Sequence, residues 1–241
     1  MTRLHAKIAL LPDGWARDVA VDFAGGRITQ VTPNLPGATL DCLLPAPANL
    51  HSHSFQRAMA GLTEHRTAGQ DSFWTWRSLM YRFLDQLTPD DVQAIAAMVM
   101  VEMAEAGFAA VAEFHYLHHA PGGQRYDNPA ELTARIAAAA AETGLGLTHL
   151  PVLYERGGCD NRPLTSGQLR FGNTPDQFLA LHQAAESILK SLPPDTVLGL
   201  APHSLRAVTP HGLTLATTLG GPIHIHIAEQ QAEVAELLNA T

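Results

Sequence analysis

His51 and His53 stand two residues apart in Asn49-Leu-His-Ser-His-Ser-Phe-Gln56, and a second pair, His224 and His226, lies in Pro222-Ile-His-Ile-His-Ile-Ala-Glu229. On an extended strand, side chains at i and i+2 leave from one face, so each pair can bring two imidazoles to one point. Imidazole nitrogen suits zinc, copper, nickel and iron, and two histidines need further ligands to complete a site. A lone H-x-H has a bland reading, a strand end with two solvated or hydrogen-bonded histidines. Two such pairs, far apart in a repeating strand–helix chain, favour a shared metal. In the later pair the isoleucines take the opposite face; His226 is the candidate ligand and His224 reads as a packed interior histidine. Glu229 follows at the strand exit, where a carboxylate can pass a proton to a departing amine. Zinc would lower the pKa of a bound water from about 15.7 toward about 7.

Other polar residues gather at the ends of predicted strands. Gln56 follows the first, and Glu113, His115, Tyr116, His118 and His119 follow the second. His203, Ser204 and Arg206 end the fourth. His118 and His119 fall in a loop rich in glycine, proline and polar residues and are expected to be solvated. Arg77, Arg206 and Tyr116 admit two readings, as surface or helix-end groups or as members of a pocket. The chain has neither a G-x-S-x-G nucleophile elbow nor a P-loop, which removes the simplest hydrolase and nucleotide readings.

These residues need elements to position them. Near-continuous apolar runs predict strands at 43–50, 108–114, 145–154, 196–203 and 222–228, the pattern of parallel strands covered on both faces. Helices between them have clear starts: Thr88-Pro89, Asn128-Pro129, Thr174-Pro175 and Thr209-Pro210 each put a capping side chain before a proline. Gly107, Gly144 and Gly220 stand where helices stop. An extra helix over 72–87 carries Phe73, Trp76, Leu79, Met80, Phe83, Leu84 and Leu87 at helical spacing, a stripe that reads as core. Before all this, 5–11, 18–23 and 27–31 read as short strands, with Gly25-Gly26 as a hairpin turn. Repeated strand–helix units fit a (β/α) barrel or a doubly wound sheet. The barrel is favoured because site-like residues follow at least four of the five strands, and barrel strands converge at their C-terminal ends.

The 241 residues, 46% hydrophobic and 16% charged, suffice for a large core and argue against disorder. A net charge of −8 with no basic patch argues against nucleic-acid binding. The run 92–103 is broken by Gln93 and Glu102 and is shorter than the roughly 18 residues a membrane span requires. Asp13, Arg17, Asp18 and Asp22 leave no apolar run for a signal peptide. Cys42 and Cys159 have no metal spacing and suggest a reducing compartment. The expectation is a soluble cytoplasmic protein without membrane or nucleic-acid partners.

The stretches Asn49 to Gly61, Asp71-Ser-Phe-Trp-Thr-Trp-Arg77, Glu113-Phe-His-Tyr-Leu-His-His119, Gly199-Leu-Ala-Pro-His-Ser-Leu-Arg-Ala-Val208 and His224 to Gln230 carry a resemblance. Across nearly all its length the chain resembles the amidohydrolase superfamily. Within it, the 71–77 and 199–208 segments are similar to deiminases that act on N-formimino-L-glutamate in histidine degradation. The resemblance implies an α/β fold, a (β/α)8 TIM-type barrel, with its first five strand–helix units in residues 45–241. Residues 1–44 would be the N-terminal part of a small β-sandwich subdomain. It implies one divalent metal ion, zinc first, held by His51, His53 and His226, and Glu229 as proton donor to the leaving nitrogen. Gln56, Arg77, Tyr116, His203 and Arg206 would orient the small-molecule substrate, N-formimino-L-glutamate, the arginines holding its carboxylates. The products would be N-formyl-L-glutamate and ammonia, and a homodimer is compatible. The family pattern places a further histidine and a metal-binding aspartate on later strands, so the segment is read as the front part of a longer protein and expected to be inactive alone. The alternatives are a guanine- or cytosine-type deaminase and a catalytically incomplete fragment.

Overall fold

Hairpin chemistry organises the first forty residues. The computed structural model describes residues 2–62 and 73–240, with side chains for all of these except 73–75, in two units, Met1–Pro47 and Ala48–Thr241. In the first, β1 (Thr2–Leu11) pairs antiparallel with β2 (Gly14–Ala24), which pairs antiparallel with β3 (Arg27–Thr32). Gly25 and Gly26, at φ +57° and +74°, make the tight turn between β2 and β3, which needs positive φ at both positions. A fourth strand, β4 (Leu40–Leu43), adds parallel to β1, giving the order β3-β2-β1-β4. Ala9, Val19 and Val21 form its small core. The predicted start of the second strand at Asp18 is four residues late. Cross-strand pairing runs the ladder back to Gly14 opposite Leu11, carrying Asp18 along at φ +47°.

The second unit is built on parallel strands. β5 (Ala48–Ser52), β6 (Ala110–His115), β7 (Gly146–Leu153) and β8 (Val197–Leu198) lie in that order, and β9 (Ala201–Pro202) pairs with the far end of β7. One strand over 43–50 is not formed: Pro45 and Pro47 cannot donate to a ladder, so β4 stops at Leu43 and β5 starts at Ala48. The strand expected over 196–203 splits into β8 and β9 at Gly199, where the backbone of Pro222 approaches so closely that a side chain would collide. Nor is 222–228 a regular strand. It joins through the parallel bridges Leu200–Ile223 and Ser204–His226, with His224 N–H donating to Leu200 O and His226 N–H to His203 O.

The helices that cover this sheet begin largely where their caps predict. Thr88 and Thr174 cap α2 (Pro89–Glu105) and α4 (Pro175–Leu189) in reciprocal boxes with Asp91 and Gln177, and Thr209 caps α5 (Pro210–Ala216). The first described helix, α1 (Phe73–Leu84), ends three residues before the predicted stop, and Ser72 lies outside the described residues. Met80 and Leu84 of its stripe are buried. The helix α3 (Glu131–Thr143) begins two residues after the expected Pro129, because Asn128 turns its carbonyl and side chain onto Glu131 and Ala130 N–H. Gly144, at φ +74°, closes it. The last, α6 (Gln231–Ala240), follows Glu229.

Two polar features inside the core escaped sequence reasoning. Arg170, 1% exposed, donates from its guanidinium to the carbonyls of Leu84, Leu87 and His119, and so ties the end of α1 to the loop after β6. His118, expected to be solvated, is buried with Nε2 against Val152 O, and His119 is half-buried with Nε2 against Gly172 O. The Arg170 backbone carbonyl accepts from both their N–H groups, which draws the loop inward. His115 and His149 are buried nearby, His149 sharing a 3.0 Å hydrogen bond with Thr133. Burial holds His115 and His118 well below the ordinary imidazole value and His149 at about 3.

Replacing Arg170 by Met strands three carbonyls and is expected to lower the unfolding free energy by about 2–4 kcal/mol in urea titrations. The buried histidines set a pH dependence. A ring whose folded pKa lies below its unfolded value of about 6.5 contributes stability above that value and loses it as pH falls toward the folded value. Between pH 6 and 4 the unfolding free energy should therefore drop on acidification, by up to about 1.4 kcal/mol per pH unit for each such ring. His149→Gln, which keeps a partner for Thr133, should make that slope shallower.

Candidate metal centre and active site

The bulged end of β5 delivers the first two histidines. Pairing with β6 shifts register between Asn49 and Ser52, and His53 falls just past the strand, ahead of a 3-10 turn at Ser54–Met59. Even so, His51 Nε2 lies 3.1 Å from His53 Nε2 and 3.2 Å from His226 Nε2. The three candidate ligand atoms all fall within 4.8 Å of one another, the single such cluster among the described residues. Nitrogens sharing one tetrahedral zinc lie roughly 3.4 Å apart, so the spacing suits a common ion. His224 is half-buried and outside the cluster.

Protonation fits the same assignment. His53 Nδ1 donates to Phe114 O at 3.0 Å, which leaves a bare lone pair on the Nε2 of the neutral ring. Burial lowers His53 to about 3 and His226 to about 4, with neighbouring histidines adding to the effect, and His51 is lowered too. Neutral rings with inward lone pairs are what a cation requires. The Phe114 ring stacks on His226, centroids 4.2 Å apart at 25°.

Beside the triad a cavity is lined by His53, Gln56, Arg77, Tyr116, His203, Arg206, His226 and Glu229. These are the predicted site residues, His51 excepted. Gln56 Nε2 donates to Tyr116 OH at 2.7 Å, and burial raises the Tyr116 phenol far above its ordinary value. His203 is buried against Tyr154 and His226, its Nδ1 3.1 Å from Ser204 Oγ, and burial keeps it neutral. The Arg77 guanidinium stands 5.2 Å from the Tyr81 ring centroid and hydrogen-bonds its hydroxyl. An adjoining cavity of about 340 Å³ is lined by Arg77, Tyr81, Arg162, Gln168, Arg206, Glu229 and Glu233.

Arg206 is more heavily engaged than the sequence suggested. It is buried, with Nε donating to Glu233 at 3.2 Å, Nη2 to Glu229 at 3.3 Å and Nη1 to Tyr154 OH at 3.3 Å. Burial lifts the Glu229 carboxyl above the ordinary carboxylate value; Arg206 opposes this and Glu233 reinforces it. Sequence reasoning missed Glu233, which is 8% exposed and accepts from Glu229 N–H at 2.9 Å. Its signal was present as an acid in the first turn of α6, the capping-box position, four residues after Glu229. Tyr154 gave no such signal, being one apolar-run residue among many.

Residues 1–39 match the family description "Formimidoylglutamate deiminase HutF, N-terminal domain" and residues 42–241 match "Amidohydrolase family". A formimidoylglutamate deiminase from Pseudomonas aeruginosa is 47% identical over 97% of this chain and 53% of its own length. Among solved structures, an amidohydrolase from Brucella melitensis superposes with TM-score 0.94 at 44% identity, over 100% of this chain and 55% of the other. An adenosine deaminase from Xanthomonas campestris, solved with bound zinc, shares the fold at TM-score 0.72 and 17% identity, over 98% of this chain and 51% of the other. The chain thus spans about half the length of the relatives it matches.

The buried Arg206–Glu233 pair gives a stability test. Arg206→Met leaves Glu233 without its cation and is expected to destabilise by about 3–5 kcal/mol in denaturant melts, whereas Arg206→Met with Glu233→Met should recover most of the loss.

Proposed function

The chain belongs to the amidohydrolase family, and from that premise we propose that it carries the metal-binding and substrate-binding half of a deiminase. The enzyme acts on N-formimino-L-glutamate and releases N-formyl-L-glutamate and ammonia. One observation carries the reading: three imidazole nitrogens converge beside Glu229, at a cavity shared with two arginines. Identity of 47% to a formimidoylglutamate deiminase supports the choice of substrate.

His51, His53 and His226 would hold one divalent ion, zinc above all. When bound, zinc supplies the Lewis acidity that makes water a nucleophile at neutral pH. The remaining steps belong to side chains. Glu229, its carboxyl raised above the ordinary carboxylate value by burial, stands where it can pass a proton to the departing nitrogen. Arg77 and the remaining N–H groups of Arg206 take the substrate carboxylates, for which planar guanidinium is suited. Gln56 and Tyr116, locked together, present one polar face to the formimino group, and neutral His203 closes the wall against His226. No helix among the described residues is long and apolar enough to cross a membrane. Both cysteines are free, which fits a reducing cytoplasm.

The test is ammonia release by the intact enzyme from N-formimino-L-glutamate, compared with guanine and cytosine. Turnover of the linear amidine alone is expected, abolished by a chelator and restored by zinc. Glu229→Gln should lower kcat by about 100-fold or more with little change in KM. Turnover of a ring base without turnover of the amidine would sink the assignment.

A further inference from the structure

We infer that Glu113 and Phe114, consecutive on β6, form a positioning pair that sets the geometry of the histidine triad. The inference rests on the metal reading above. Ser52 of β5 pairs with Glu113 of β6, and just beyond it the chain leaves the strand, so the ladder does not hold His53. Glu113 does so indirectly. Its Oε1 accepts from Ser54 N–H at 2.8 Å and from Ser54 Oγ at 2.7 Å, gripping the residue that follows His53 by backbone and side chain together. The next residue grips His53 itself, since Phe114 O accepts from Nδ1 and turns Nε2 toward the centre. The Phe114 ring then backs the triad, stacked on His226 with its centroid 5.4 Å from His51 and 5.1 Å from His53.

A scaffolding role alone does not account for a carboxylate here. Glu113 is 1% exposed, and its Oε2 makes no hydrogen bond of standard geometry among the described residues, although the Ser52 side chain adds to the support of the carboxylate. Burying a half-satisfied acid is unfavourable, and an apolar side chain would pack without that penalty. What the carboxylate supplies is one oxygen that accepts two hydrogen bonds from Ser54. Outer groups that fix the orientation of a ligand typically change metal affinity by about 10–100-fold when removed.

The experiment measures Zn2+ affinity of the intact enzyme by chelator competition, with Co2+ absorption as a second probe of ligand arrangement. Glu113→Ala should weaken Zn2+ binding by about 10-fold or more and alter the Co2+ spectrum. Glu113→Gln keeps an acceptor for Ser54 and should stay close to the parent in both. Ser54→Ala removes one arm and should fall between, and Glu113→Ala with Ser54→Ala should bind no more weakly than Glu113→Ala alone. Because Ser54→Ala and Glu113→Gln are mild, metal-free melting alongside the parent keeps the comparison independent of folding. A parent that binds neither ion overturns the metal reading, and this inference with it. A parent that binds, with Glu113→Ala matching it, overturns the positioning pair alone.

Discussion

The Nε2 atoms of His53 and His226, held 3.1 and 3.2 Å from that of His51, can face it only if most of the three are unprotonated, and that constraint governs the architecture around them. Charged rings at that spacing would repel and, half-buried, would also lose hydration. The fold keeps them neutral by burial and, at His53, commits the single ring proton to a backbone carbonyl. The outcome at His53 is a lone pair turned toward the other two rings, in a cluster able to receive a cation. Parallel pairing between β5 and β6, and the bridge of Ser204 to His226, are what bring residues 175 positions apart into that arrangement.

A second electrostatic balance lies alongside. Arg206 carries its charge into a buried position because Glu229, Glu233 and Tyr154 surround it. The same cation keeps the Glu229 carboxyl from rising further, so the two groups are tuned against each other. Glu233 serves both, bonding the guanidinium and the Glu229 backbone from the first turn of α6. One cavity thus couples the acid strength of Glu229 to the charge of Arg206.

Much of this was legible from residue types and spacing. The H-x-H pair, the later histidine and Glu229 were visible because metal ligation and proton transfer use few residue types, and the parallel-strand pattern placed them at one mouth. Thr88, Thr174 and Thr209 marked their helix starts, since capping is a local hydrogen bond. Residues whose role depends on who packs against them were silent. Arg170 and Glu233 are buried charged side chains that a periodicity reading assigns to the surface; Glu113 was placed at a strand end with no sign of its hold on Ser54, and His118 was assigned to solvent because its loop is rich in glycine, proline and polar residues.

What the chain's order of residues determined alone was therefore local: strand and helix patterns, caps, glycine stops and the inventory of groups able to bind a metal. Tertiary structure decided the rest. It broke the strand predicted over 196–203 at Gly199, whose missing side chain leaves room for the Pro222 carbonyl, and joined 222–228 to it only through the isolated bridges Leu200–Ile223 and Ser204–His226. It also turned Arg206 inward among carboxylates. The physical reason is range: dihedral preference and capping act over a few residues, whereas register, burial and charge pairing depend on neighbours that sequence distance does not reveal.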